Sequence, residues 1–107
     1  MPAVPTSQVL HLKDLTSYQE GSVVSRQITK ADAGNVTLFA FDAGQELSEH
    51  TAPFDALVQI LEGEAEVRIT GQPYALRDGD VIVMPANEPH AVKATKQFKM
   101  LLTMIRA

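Results

Sequence analysis

The sequence predicts an all-β fold of the sandwich or barrel type, on two observations. Short segments rich in β-branched residues recur along the chain, with glycine, proline, asparagine or aspartate between them. No helical period is sustained long enough for a bundle, and only a turn or two of helix is expected, around His11 to Ser17.

Taken in order, Val23 to Thr29 and Val36 to Phe41 read as strands joined by a hairpin loop, Lys30 to Asn35. Leu57 to Leu61 and Glu64 to Thr70 read as two further strands meeting at Gly63, where a residue without Cβ can take positive φ and reverse the chain. Gly71-Gln72-Pro73 leads into Tyr74 to Leu76, and Asp78-Gly79 is a strong turn signal. Val81 to Met84, His90 to Ala94 and Phe98 to Ile105 complete the series.

From Glu64 to Thr70 the even positions are polar and the odd ones apolar, so one face is expected to be wet and the other buried. Leu57 to Leu61 is apolar on both faces apart from Gln59, the mark of a strand covered on both sides. In so small a domain the second cover is either another subunit or an N-terminal segment folded over the strand.

The chain has 107 residues, a length for one core, so residues 1–107 are expected to form one domain. With no cysteine there is no disulfide framework, thiolate metal site or cysteine nucleophile. Any transition metal is expected to be held by histidine and oxygen ligands. A net charge of -4 with scattered lysines and arginines argues against a nucleic-acid partner. No apolar run approaches the roughly 20 residues that cross a bilayer. Met1-Pro2-Ala3-Val4-Pro5 lacks the basic and apolar regions of a signal peptide. A cytoplasmic protein with no membrane partner is expected. A phosphate loop with lysine, a Gly-X-Ser-X-Gly elbow and a helical His-Glu-X-X-His are all missing from the sequence, which leaves covalent catalysis poorly supported.

The informative feature is two histidines in turn-strand frames, Gly44 to Gly63 around His50 and Gly79 to His90. These frames resemble the two motifs of the cupin superfamily, small β-barrels of the jelly-roll type. Gly44, His50 and Gly63 match the first motif, and Gly79, Pro85 and His90 match the second. The resemblance implies a single-domain jelly-roll barrel, all-β, with its motif-bearing core over residues 36–105. Asn87 stands where the second motif usually has glycine, and Ala94 where it has asparagine. Asparagine tolerates left-handed φ better than other residues, so Asn87 is expected to make the same turn.

Metal-binding cupins generally use two histidines and a glutamate of the first motif with the histidine of the second. Here Ala52 replaces the second histidine, and Ala56 or Leu57 stands at the glutamate position. Two of the four implied ligands, His50 and His90, remain as a weak metal site for zinc, nickel, copper or iron. Two imidazoles fall short of the three protein ligands of a catalytic zinc site. The leading expectation is therefore a homodimeric binding protein with a mostly apolar pocket, taking a small organic molecule that is anionic when a histidine is protonated. His50 and His90 are its convergent polar groups, with Met84, Phe41 and Phe54 beside them.

The alternative is a metal-dependent enzyme of dioxygenase or isomerase type, its third ligand drawn from Asp55, Glu46 or Gln59, or a metal-free histidine base. A purely structural dimerisation module is the third class. His11 is expected to be an ordinary surface residue, Glu49 and Glu88 solvated carboxylates, and Asp78 and Asp80 turn residues. Phe39, Met100, Leu102 and Met104 are expected in the core or the pocket lining.

Overall fold

The computed structural model describes residues 4–107; Met1 to Ala3, part of the segment read for a leader, lie outside them. Seven antiparallel strands follow one 3-10 turn, Leu12–Leu15. They are β1 (Val23–Ala31), β2 (Gly34–Phe41), β3 (Glu46–His50), β4 (Phe54–Ile69), β5 (Gln72–Arg77), β6 (Val81–Met84) and β7 (His90–Arg106). No helix among the described residues is long and apolar enough to cross a membrane.

Two long strands organise the fold. The C-terminal half of β7, from Phe98 onward, lies between β2 and the first half of β4, which also pairs with β6. The N-terminal half of β7, His90 to Ala94, lies between β3 and the second half of β4, which also pairs with β5. Register shifts at Ile60/Glu62 and Gly63/Ala65 divide the two halves of β4. Phe41, Val58, Ile60, Phe98 and Met100 from one layer thus share a buried cluster with Ala65, Val67, Leu76, Val92 and Ala94 from the other. The expected alternation in Glu64 to Thr70 holds, with Ala65 and Val67 buried and Arg68 exposed.

The structure departs from the expected elements at four places. Gly63 does take positive φ, at 92°, but β4 runs through it without reversing. The glycine serves a bulge at which β4 crosses Phe98, where a Cβ would fall inside the Gln97 carbonyl oxygen and 2.6 Å from the Phe98 Cα. His90 to Ala94 and Phe98 to Ile105 are likewise one strand, β7. Glu46 to His50, which carries no apolar alternation, is a strand of its own because it pairs with β7. The β1–β2 connection is also tighter than the loop expected, since Ala31 already pairs with Gly34.

Cover over the second face of β4 is divided. The 3-10 turn and the residues after it lie over one end, where Lys99 donates to the carbonyls of Lys13 at 2.7 Å and Thr16 at 3.0 Å. Tyr18 donates to Glu62 at 2.7 Å, and burial followed by that hydrogen bond pushes the phenol well above its ordinary range. Leu38, opposite Leu101 on this face, is fully buried. The other end stays open. There Val81 and Val83, 57% and 54% exposed, pair with Gln59 and Leu57, and Ile105 is 59% exposed.

Candidate ligand site at the histidine pair

The sequence places His50 at the end of β3 and His90 at the start of β7, and these two residues pair directly across the strands. Each ring is anchored by its own chain. His50 Nδ1 lies 2.8 Å from the Ser48 carbonyl oxygen, and His90 Nδ1 lies 3.2 Å from that of Glu88. A carbonyl oxygen only accepts, so both Nδ1 atoms are assigned as the protonated, donating nitrogens. The two Nε2 atoms are left facing each other at 3.1 Å, with the rings edge-on at 74°. In neutral rings of this tautomer both Nε2 atoms present lone pairs. Two lone pairs at that separation call for a proton or another electron-pair acceptor between them.

Neighbouring loops fix this arrangement. Asn87 adopts the left-handed φ expected of it, 65°, and its N–H donates to the Ala52 carbonyl at 2.8 Å, tying the loop before His90 to the one after His50. Asp55 Oδ1 accepts from the Ala86 N–H at 2.9 Å, and the Pro89 carbonyl accepts from the Thr70 N–H at 2.8 Å.

The pair stands over a cavity of about 40 Å³ lined by Leu47, Ala52, Ala56, Met84, Val92, Met100, Leu102 and Met104 as well as the two histidines. His90 is 5% exposed, whereas His50 is open to solvent. A cavity of this size holds an ion or a molecule of few heavy atoms, against about 300–1,000 Å³ for an organic-ligand cleft. A larger open groove beside the β1–β2 turn has Lys30 as its sole titratable lining residue and contains no histidine.

Of the residues expected around the pocket, His50, His90 and Met84 line it and two do not. Phe41 is fully buried in the core, stacked on Phe98 with centroids 4.4 Å apart. Phe54 is half-buried beneath the Arg106 guanidinium, 4.8 Å from its ring centroid. The proposed third ligands are also turned elsewhere. Asp55 holds the Ala86 loop, Gln59 shares the outer face with Val81, and Glu46 borders a separate groove with Glu66 and Arg68. Among the described residues no group of three or more histidine, cysteine, aspartate or glutamate side chains gathers as a metal site. The residues present therefore do not fit the three-histidine, one-carboxylate set. Residue type alone does not divide Met100, Leu102 and Met104 between core and lining. Their i, i+2 spacing from Phe98 puts all three on its face, a signal that separates them from the outward Leu101 and Thr103.

Burial, and next the repulsion of His50, hold the His90 imidazole below its ordinary range, against the Glu88 carbonyl, which favours the charged form. The unfolded imidazole titrates near pH ~6.5, so between that value and the lower native one the unfolded chain binds more protons. Stability from this source is present above the unfolded value and is lost as pH falls through the native one. Melting temperatures followed from pH ~7.5 downward are expected to decline across this window. The decline should flatten in His90→Gln and persist in His11→Gln; an unchanged profile in His90→Gln would contradict the assignment.

Comparison with known proteins agrees with this architecture. The family described as cupin domain matches residues 37–106. A solved structure of a conserved protein of unknown function from Streptococcus pyogenes is 35% identical, with 98% of this chain and 92% of that one covered and a TM-score of 0.92. A cupin superfamily protein from Desulfitobacterium hafniense is 31% identical, with 98% and 96% covered and a TM-score of 0.90. An uncharacterised protein from Aquifex aeolicus is 24% identical over 91% of this chain and 82% of its own length.

Proposed function

This chain belongs to the cupin family, and from that premise we propose that it is a binding protein that takes a small ligand at the His50–His90 pair. The observation that carries the reading is the 3.1 Å approach of two Nε2 atoms whose other ring nitrogens are engaged by carbonyls. Such a pair is set to receive a proton donor or a cation, and the apolar cavity below it limits the ligand to a few heavy atoms. For the small-molecule pocket expected from sequence, this volume sets the scale at a few heavy atoms. Catalysis of dioxygenase or isomerase type finds no support in Asp55, Glu46 or Gln59, since none of them lines the cavity.

The test is a titration of tag-free protein with a panel of small carboxylic acids, amides and metal ions, read by NMR at the histidine ring nitrogens. His50 and His90 are expected to shift together while exposed His11 stays still, and His90→Ala should weaken binding at least ~10-fold. A panel in which no member moves the pair, or moves His11 equally, would overturn the reading.

The proposal extends to a second copy of the chain as the cover for the open end of the outer face. Val81, Val83, Leu57, Gln59, Leu101, Thr103 and Ile105 carry no charge, and the one carboxylate on this face, Asp55 opposite Ile105, stands at its margin and accepts from the Ala86 N–H, so the centre of a two-fold contact between copies is uncharged. Sedimentation at ~50 μM is expected to give a dimer for the natural chain and a folded monomer for Val83→Lys/Ile105→Lys, the substitution cost falling on the interface core. A natural chain that sediments as a monomer removes this part of the proposal. The cytoplasm is the proposed compartment, where a chain without cysteine forgoes nothing by lacking disulfides.

A further inference from the structure

We infer that the cavity below the histidine pair is a site for a soft monovalent metal ion, Cu(I), held by imidazole nitrogen and methionine thioether; this rests on the binding role proposed for the same pair and names its ligand. The chain has four methionines, and the three within the described residues, Met84, Met100 and Met104, all line this one cavity. Two of the three histidines line it as well. Met84 and Met104 both pair with Ala56, one on each side of β4, and the short alanine side chain leaves the space between them to the longer ones.

The chemistry of this donor set is specific. No carboxylate reaches the cavity, so a hard cation such as Mg²⁺ or Mn²⁺ finds no oxygen ligand there. Thioether sulfur selects Cu(I), and imidazole accepts copper in either oxidation state. The two nitrogen lone pairs are already positioned: nitrogens ~2.0 Å from one tetrahedral ion stand about 3.3 Å apart, close to the 3.1 Å observed. At ~2.0 Å from each nitrogen the ion stands to one side of the line that joins them, in place of a shared proton, and binding changes no oxidation state. Leu47, Val92 and Leu102 give the rest of the cavity an apolar lining that offers the ion no competing oxygen ligand. The loss of the implied carboxylate and of one histidine thus reads as an exchange of hard ligands for soft ones at the same place in the barrel.

The test uses tag-free full-length protein, kept anaerobic with ascorbate, competing with bicinchoninate for Cu(I), followed by X-ray absorption at the copper edge. One Cu(I) per chain is expected, with nitrogen and sulfur both in the first coordination shell. Zn²⁺ should bind at least ~100-fold more weakly, as the ligand preferences dictate. Met84→Leu/Met100→Leu/Met104→Leu, which keeps side-chain volume, should lose the sulfur signal and at least ~10-fold in affinity, and His90→Ala should lose the ion. A first shell of nitrogen and oxygen only, or full affinity in the triple leucine variant, would sink the inference. Should the histidine rings respond to organic members of the panel and not to Cu(I), this inference falls and the binding reading stands. Should they respond to neither, both fall.

Discussion

Gly63→Ala is expected to cost at least ~4 kcal/mol, most of the stability of a domain at the low end of the usual range of about 5–15 kcal/mol. Two effects combine. A positive φ of 92° already disfavours any residue with a Cβ by ~1–2 kcal/mol. The added methyl then has nowhere to go, because the Gln97 carbonyl and the Phe98 Cα are backbone and cannot swing aside. Gly44→Ala is the control: its φ is 84°, yet nothing lies within 4 Å of the place its methyl would occupy, so only the conformational cost of ~1–2 kcal/mol applies. Urea midpoints of the two variants and the natural chain measure the difference. Equal losses at the two glycines would show that β4 has room to spare where it crosses Phe98.

Phe98→Ala carries the second large effect, ~3–5 kcal/mol by loss of transfer energy and creation of a cavity. Phe98 is fully buried, and its ring stacks on Phe41 at 4.4 Å with planes 17° apart. A double-mutant cycle with Phe41→Leu and Phe98→Leu should return a coupling of ~0.5–1.5 kcal/mol beyond area burial. A coupling near zero, measured by chemical denaturation, would mean that the rings merely share a core without supporting each other. The two large predictions meet at one place, since Gly63 and Phe98 are register partners.

The extent to which the fold is legible follows from what kind of signal each segment carries. Val81 to Met84 is read to the residue because Asp78-Gly79 precedes it and Pro85 ends it. His50 and His90 come together as their frames imply. Gly63 misleads because a glycine at positive φ serves a bulge as well as a reversal, and only the partner strand decides which. Lys96 and Gln97 similarly suggest a break within β7, although pairing continues on either side of them. At β3 the run Glu46-Leu47-Ser48-Glu49-His50 has too little apolar pattern to reveal a strand whose stability comes from β7. Residue type alone assigns Phe41 and Phe54 to a pocket, and side-chain direction, set by register, sends them elsewhere.

The pairing of β7 also bears on how the molecule comes to be folded. β7 is hydrogen-bonded to β2, β3 and β4, and Phe54 meets Arg106 across half the chain. Few of its native contacts are local, so the entropy of closing long loops is spent before the sheet can reward it, and slow refolding follows. During synthesis the six earlier strands emerge without the one that joins them, with Val58, Ile60 and Val67 exposed until it arrives. The interval before β7 leaves the ribosome is thus the period in which this barrel is open to mispairing with other chains.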